Sequence, residues 1–261
     1  MATIEIQKVD LASFCYLNKE RYPFLLESVN HNENNRYSIL FAFPEENIVL
    51  RDFADFDFLS ELENQCKQIS DNLNLPFNGG WFVYLSYELI GQIEPTIASK
   101  LHKSSIPIAY AVKIPSAIIT DHKLKKTYVV DEDNDHSRIN QILSDIKAIE
   151  NIPDAPLDGE ISDENNEKFT DGVKRSLDYI IAGDVFQVNL SRKWTYSLSS
   201  KKDSAIIYKQ LKKANPAPFS ALVQYENFSI ISSSPERLFS VNDGVLETSQ
   251  SQELIQEEKG I

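Results

Sequence analysis

The chain has 261 residues, enough for one large domain or two ordinary ones. Its formal net charge is -13, and no lysine- or arginine-rich block interrupts the acidic balance, which argues against a nucleic-acid or membrane-surface partner. Cys15 and Cys66 lack the spacing of metal ligands, the N-terminus lacks the basic start and apolar segment of a secretory signal, and no apolar run approaches the ~18 residues of a membrane span. These features predict a cytoplasmic protein.

In the first 130 residues, segments with the alternating pattern of strands lie before and after one helical segment. Residues 36–53 are rich in aromatic and branched side chains on both sides of a turn at 44–47, which predicts a hairpin. Apolar residues then recur at helical intervals, at Phe58, Leu62, Cys66 and Ile69. Residues 79–89, "GGWFVYLSYEL", predict a strand, and residues 109–130 predict two strands joined near 121–125.

The acidic segment 131–136, "DEDNDH", is the first candidate metal site. Adjacent carboxylates rarely converge on one ion without a loop such as that of an EF-hand, which is absent, so a solvated turn is favoured. A helix-like segment over 138–151 leads into a polar, proline-containing stretch. We therefore predict an N-terminal region over 1–150, a linker over 151–166 and a second region over 167–248.

The second region starts with a helix whose inward residues are predicted to be Val173, Leu177 and either Ile180 or Ile181, with Gly183 as its C-cap. A strand over 185–198, a second helix over 204–216 and two hairpins with turns at 226–227 and 242–244 follow. Strands interspersed with helices in this way indicate an α+β fold rather than a doubly wound sheet.

The usual phosphate-binding, hydrolase and zinc-protease motifs are absent from the sequence. One junction contains side chains that could take part in catalysis. An apolar strand ends there in Ser232, Ser233 and Ser234, followed by Pro235 and Glu236. On an open surface, Glu236 is an ordinary charge at a strand end. In a cleft, the same carboxylate can act as a general acid or base.

Three segments in this order, "YIIAGDVFQVNLSRKW", "ANPAPFSALV" and "ISSSPERL", resemble the chorismate-utilising family that contains anthranilate synthase component I and aminodeoxychorismate synthase component I. "PFLLES", "RYSIL" and "LPFNGGWFVYLSYEL" resemble the N-terminal elements of the same family. The resemblance implies two packed antiparallel sheets with flanking helices, and it makes residues 167–248 the start of a chorismate-binding domain.

The resemblance also implies an activity. Glu236 matches the glutamate that handles protons as ammonia adds to chorismate and the C4 hydroxyl leaves. "LPFNGG", "PAPFSA" and "SPERL" are more similar to aminodeoxychorismate synthases, which make 4-amino-4-deoxychorismate for 4-aminobenzoate and folate synthesis with ammonia from a glutamine amidotransferase partner. Anthranilate synthases more often carry an NP-x-PYM-like segment. Anthranilate synthase chemistry and a non-catalytic, tryptophan-binding regulatory module remain the alternatives.

Family members bind tryptophan as an inhibitor or structural ligand, and this chain matches that pocket at eight positions: Ser28, Asn34, Asn35, Arg36, Tyr37, Pro218, Phe219 and Ser220. The competing interpretation is that Phe219 and Tyr37 are core residues and that Ser28 is a hydroxyl at a strand end. The resemblance therefore adds tryptophan to chorismate and the amidotransferase as an expected partner.

Residues 249–261 do not match the family, in which a Pro-Ile-x-Gly-Thr-x-Pro-Arg-Gly segment leads into a C-terminal half with Mg²⁺-binding glutamates. Read one base out of phase, the codons of this tail permit "PIAGTDPRGEGD", so we hypothesise that a nucleotide was lost near the Ser249 codon. On that hypothesis, the fold is incomplete at its C-terminus, the Mg²⁺ ligands are missing, and the chain alone has little or no turnover.

Overall fold

The computed structural model describes residues 2–29, 35–66, 75–101, 104–133, 136–163, 165–242 and 244–248. Its strands are β1 (Ala2–Ile6), β2 (Phe24–Glu27), β3 (Tyr37–Ala42), β4 (Asn47–Leu50), β5 (Gly80–Leu85), β6 (Ala109–Ile114), β7 (Ser116–Asp121), β8 (Lys126–Asp131), β9 (Gly159–Asp163), β10 (Trp194–Leu198), β11 (Phe219–Tyr225), β12 (Phe228–Ser234), β13 (Ser240–Asn242) and β14 (Val245–Glu247). The α-helices are α1 (Leu11–Leu17), α2 (Phe58–Gln65), α3 (Ile90–Ile93), α4 (His136–Ala148), α5 (Asn166–Ala182) and α6 (Ser204–Ala214), and two 3-10 helices span Tyr87–Leu89 and Pro95–Lys100.

The chain divides into two compact units, Met1–Pro153 with Ser204–Ile261, and Asp154–Asp203. The first unit contains a seven-stranded sheet in the order β1-β8-β7-β3-β2-β11-β12, in which every neighbouring pair is antiparallel. It also contains a three-stranded antiparallel sheet in the order β4-β6-β5. Strand β7 is buried along its whole length because the sheet covers its edges and side chains pack on both faces.

The two sheets of the first unit pack face to face through aromatic side chains. Phe24 and Phe41 of the large sheet meet Phe82 of the small sheet, and the rings of Phe24 and Phe82 are stacked with centroids 4.1 Å apart. Tyr110 of β6 stacks on Tyr225 of β11 at 4.1 Å. Such aromatic pairs stabilise a core beyond the area that they bury. The predicted class, packed antiparallel sheets with flanking helices, is confirmed.

The predicted hairpin over 36–53 is wrong, although both of its strands exist. Strand β3 pairs with β2 and β7 in the large sheet, whereas β4 pairs with β6 in the small one. Between them, Phe43 adopts a left-handed backbone conformation with φ 59°, and the chain passes from one sheet to the other. Residues 109–130 likewise form three strands, because Pro115 separates β6 of the small sheet from β7 of the large one.

Several turns agree with the sequence. Strands β7 and β8 form a hairpin through residues 122–125, and β11 and β12 form another through Glu226 and Asn227, with Glu226 at φ 47°. In the third hairpin, β13–β14, Gly244 adopts φ 75°, which favours glycine. The solvated turn predicted at 131–136 is wrong at its first residue, since Asp131 is buried and ends β8.

The second unit contains the β9–β10 pair and helix α5. Strand β9 lies within residues 151–166, and β10 covers only the last part of the strand predicted over 185–198. Gly183 caps α5 in the left-handed conformation, as expected. The predicted inward face of α5 is wrong: Val173 and Ile180 are exposed, Leu177 is 53% exposed and Ile181 is 85% exposed. One helix and two strands are too little structure to cover an apolar stripe of that length.

The sequence contains no apolar run as long as a membrane span. Within the described ranges, no helix is both long and apolar enough to cross a bilayer.

Candidate functional site

Antiparallel pairing brings four of the resembling segments, "PFLLES", "RYSIL", "ANPAPFSALV" and "ISSSPERL", to one end of the large sheet, whereas "YIIAGDVFQVNLSRKW" lies in the second unit. Neighbouring antiparallel strands run in opposite directions, so the end of one strand lies beside the start of the next. The register pairs Tyr37 at the start of β3 with Asp121 at the end of β7, and Ser220 of β11 with Glu27 at the end of β2. Phe219 at the start of β11 pairs with Ser234 at the end of β12, two residues before Glu236.

These strand ends line a cleft of about 1550 Å³. Its lining includes seven of the eight predicted pocket residues together with the predicted catalytic residue: Ser28, Asn35, Arg36, Tyr37, Pro218, Phe219, Ser220 and Glu236. Asn34, the eighth pocket residue, lies outside the described residues, as does the tail 249–261. Residues far apart in sequence therefore line one cleft that could enclose a small molecule.

The corner between β2 and β3 is held by serine hydrogen bonds. The Ser28 backbone N–H donates to Ser38 Oγ at 3.0 Å, and the Ser28 hydroxyl donates to the Tyr37 carbonyl oxygen at 3.0 Å. Beside them, Asn35 is only 4% exposed, and its side-chain oxygen Oδ1 has no hydrogen-bond partner among the described residues. Because an unpaired buried amide oxygen is costly, Asn35 is the side chain of this corner best suited to accept a hydrogen bond from a ligand.

Arg36 and Asp121 form the charged part of the same corner. The guanidinium donates to both carboxylate oxygens, at 2.6–3.1 Å, and it also lies 4.7 Å from the ring centre of Tyr37. Burial alone would raise the pKa of Asp121, but the hydrogen bonds from Arg36 and from the backbone N–H groups of Leu124 and Lys123 outweigh it and lower that pKa. The pair places a fixed cation at the edge of the cleft.

The segment before β11 and the segment after β12 form the facing part of the cleft. The guanidinium of Arg237 lies 5.4 Å from the ring centre of Phe219, which joins the "SPERL" and "PFS" segments. The Ser234 hydroxyl donates to the carbonyl oxygen of Glu236 at 3.0 Å, and the Ser220 hydroxyl donates to the Ala217 carbonyl oxygen at 3.2 Å. Phe219 is half-buried, so it is neither a fully enclosed core residue nor an open surface residue.

Three charged residues of the cleft were missed at the sequence level: Glu27, Asp121 and Arg237. Glu27 accepts hydrogen bonds from the Tyr208 hydroxyl at 2.7 Å and from Lys212 Nζ at 3.1 Å, which ties β2 to α6. Glu27 and Arg237 are sequence neighbours of predicted site residues, so their position was available as a signal. For Asp121, the only signal in the sequence was its place at the end of a predicted strand.

The described residues do not fit the Mg²⁺ ion that the resemblance implies. Among them, no group of three or more His, Cys, Asp or Glu side chains could hold a metal ion. No step proposed below runs through Mg²⁺.

Acid should weaken the Arg36–Asp121 corner. A carboxylate with a lowered pKa stabilises the folded state fully above its unfolded pKa, about 3.9, and that contribution is lost as the pH falls through the folded value. The free energy of unfolding in urea should therefore fall between about pH 5 and about pH 3, and it should fall less in Asp121→Asn, which cannot titrate there. Equal losses in the two proteins would show that Asp121 does not contribute.

The comparisons with known proteins agree with this geometry. The profile described as "chorismate binding enzyme" matches residues 21–250, which is most of the chain. The chain belongs to the chorismate binding enzyme family.

The curated relatives that match the chain include two differently named enzymes of that family. Over 256 residues, the chain is 27% identical to "Anthranilate synthase component 1" of Lactococcus lactis subsp. lactis (strain IL1403), covering 88% of this chain and 56% of that protein. It is 30% identical to "Aminodeoxychorismate synthase component 1" of Bacillus subtilis (strain 168), covering 66% of this chain and 38% of that protein. The chain thus spans about half the length, or less, of the curated relatives that it matches.

A solved structure supports the fold. The crystal structure of anthranilate synthase component I from Streptococcus pneumoniae TIGR4 superposes with a TM-score of 0.66 at 22% identity, covering 84% of this chain and 55% of that one.

Proposed function

We propose that the cleft belongs to an enzyme that adds ammonia to chorismate to give 4-amino-4-deoxychorismate, as the amination step of 4-aminobenzoate and folate synthesis. The observation that carries the proposal is the convergence of five strand ends on one cleft that holds Glu236. The membership of the chain in the chorismate binding enzyme family supports the substrate.

In this proposal Glu236 handles the proton of the leaving group. The carboxyl group donates a proton to the C4 hydroxyl oxygen of chorismate, the C–O bond breaks, and water leaves. Ammonia supplies the electron pair of the new C–N bond and then releases a proton, which regenerates the acid. A half-buried carboxylate two residues after the end of β12, where the Ser234 hydroxyl donates to the Glu236 carbonyl oxygen, is suited to this role, because general acid–base catalysis requires a fixed position.

Two observations bear on the product. Phe219 follows Pro218 in "PAPFSA", where anthranilate synthases more often carry an NP-x-PYM-like segment, and this favours 4-amino-4-deoxychorismate. The second candidate, anthranilate, is supported by relatives named "Anthranilate synthase component 1" in Lactococcus lactis, Bacillus subtilis and Saccharolobus solfataricus. The ring position that receives ammonia distinguishes the two reactions.

Complementation with the complete gene that encodes this chain tests the product. The gene is expressed in one bacterial strain that requires 4-aminobenzoate and in another that requires tryptophan because it lacks anthranilate synthase component I. Growth without 4-aminobenzoate supports the proposal, and growth without tryptophan alone supports anthranilate. Rescue of neither strain, by the gene as it stands or with one nucleotide restored near the Ser249 codon, with the protein present and no chorismate consumed in either extract, would rule out both.

We infer that a glutamine amidotransferase subunit delivers the ammonia, as the resemblance implies. The assay separates this partner from the amination step itself. Ammonium salts should support the reaction without the partner, whereas glutamine should support it only when the partner is present. If glutamine works equally well with the purified protein alone, the inferred partner is unnecessary.

We also propose that tryptophan binds at the β2–β3 corner, beside Ser28, Asn35, Arg36 and Tyr37. Asn35→Ala should weaken tryptophan binding about 10-fold or more, because an N–H group of the ligand loses the Oδ1 acceptor. The same change should not lower the stability of the free protein, since Oδ1 makes no hydrogen bond with the described residues. Calorimetric titration and urea unfolding measure the two effects.

The matched control for this prediction is Asn151→Ala, at an exposed asparagine outside the cleft. It should leave both affinity and stability unchanged. If tryptophan binds and chorismate is not turned over by the product of the complete gene, a non-catalytic, tryptophan-binding module becomes the better description. If tryptophan gives no heat with the folded wild-type protein, the proposed pocket is wrong.

A further inference from the structure

A second cavity, of about 370 Å³, lies at one end of the small sheet and shares no lining residue with the cleft. It is formed where β4 and β5 end and β6 begins, and the segments that cover it belong to the two 3-10 helices. Phe53, Tyr84, Leu101 and Ile108 give it an apolar wall with two aromatic rings. The volume is at the small end of the range for ligand sites and fits a molecule with one ring.

One polar group inside this wall is without a partner. The hydroxyl oxygen of Ser86 is enclosed and makes no hydrogen bond with any part of the chain that the structure describes. Ser86 is the N-cap residue of the 3-10 helix Tyr87–Leu89, yet its side chain makes no capping bond. Its backbone is fixed, because its N–H donates to the Ile108 carbonyl oxygen at 2.9 Å. A rigidly placed, unused hydroxyl in a cavity is suited to hydrogen-bond a ligand.

Among the described residues that line the cavity, the charge without an ion-pair partner is negative. Glu88 lines it and forms no salt bridge with a described residue, and Asp52 supplies a second carboxylate. Arg51, the cation among the described lining residues, is paired with Glu226, since it donates to both carboxylate oxygens at 2.5 and 2.7 Å. Burial first, and then the charge of Glu88, raise the pKa of Tyr84, which agrees with a carboxylate close to that ring.

We propose that this cavity is a binding site for a small primary amine carried on an aromatic or similarly compact apolar body. The rings of Phe53 and Tyr84 pack against the body and attract its cation through their faces. The ammonium group needs acceptors, and Glu88 and the Ser86 hydroxyl supply them. Among the described lining residues, a carboxylate on the ligand meets no free cation, because Arg51 is paired with Glu226. This site is independent of the amination proposed for the cleft.

Titration with three matched probes tests the proposal: phenethylamine, 3-phenylpropanoate and phenylalanine share the ring and differ in their charged groups. The titration is followed by calorimetry and by backbone amide spectra of the full chain. Phenethylamine should bind and should shift the signals of Tyr84 and Ser86. 3-Phenylpropanoate should shift neither signal. Absence of any shift with phenethylamine at about 10 mM, where even a site with a Kd of about 1 mM is mostly occupied, would overturn the proposal.

Variants of the two acceptors make the test specific. Glu88→Gln should weaken phenethylamine binding about 10-fold, and Ser86→Ala should weaken it less, while Glu63→Gln, at an exposed carboxylate of α2, should leave it unchanged. Unchanged affinity in Glu88→Gln would refute the recognition of the ammonium group. Phenylalanine binding more tightly than phenethylamine, with that advantage lost in Arg51→Met, would refute the amine class in favour of amino acids.

Discussion

The Glu236→Gln variant should aminate chorismate about 10²–10⁴-fold more slowly than the unchanged enzyme, which is the range that a positioned general acid–base contributes. Glutamine keeps the size and hydrogen-bonding capacity of the side chain, but it cannot give a proton to the departing C4 hydroxyl. The effect should therefore fall on kcat, with little change in KM. Product formation from chorismate and ammonium salts, by the protein expressed from its complete gene, measures both constants.

The control for this prediction is Glu247→Gln, which removes an exposed carboxylate on β14, away from the cleft lining. It should leave both constants unchanged. A Glu236→Gln variant that raises KM and keeps kcat would show that Glu236 binds chorismate without transferring a proton. A variant that keeps both constants would remove Glu236 from the mechanism altogether.

The sequence could predict eight of the residues that line the cleft, but it did not predict Glu27, Asp121 or Arg237, and it did not show how the residues meet. Each of the cleft's segments lies where a strand begins or ends. This was visible in "LLES" and "IISSSPE" as apolar runs that stop at polar residues, and in "RYSIL" as polar residues that lead into an apolar run. Their convergence depends on β2 lying beside β11, which pairs Glu27 with Ser220 across most of the chain length. Such a long-range pairing leaves no local pattern, so Asp121, on a strand between the segments, was not expected in the site.

The absence of a local pattern for long-range pairing also explains the wrong predictions about the fold. Local alternation correctly predicted strands in residues 36–53, but a strand that buries one face has the same pattern in either of two packed sheets. The left-handed turn at Phe43 and the break at Pro115 decide which sheet each strand joins. Helix α5 shows the opposite case, since its apolar period correctly predicted the helix but wrongly predicted that Leu177 would be buried, along with Ile180 or Ile181.

The acidic segment 131–136 illustrates how burial changes the meaning of a charge. Asp131 has a side chain that is 0% exposed, and it accepts hydrogen bonds from Ser116 Oγ and from Arg138 Nε, the latter at 2.7 Å. Arg138 of α4 also contacts Asp133 at 2.8 Å, but the Asp133 side chain is 64% exposed. Asp131 and Asp133 therefore bind the same guanidinium, one inside the protein and one at its surface, and Glu45 contacts it as a third carboxylate.

Asp131→Ala should lower the free energy of unfolding by about 3 kcal/mol, because it leaves the charge of Arg138 and the Ser116 hydroxyl without their buried partner. Asp133→Ala should change it by no more than about 0.5 kcal/mol, since an exposed ion pair contributes little after solvent screening. Urea unfolding of the two variants and the wild type, with the m-value checked for constancy, measures the difference. If both variants lose the same small amount, then Glu45, which lies 3.3 Å from Arg138, and Asp133 satisfy the guanidinium without Asp131.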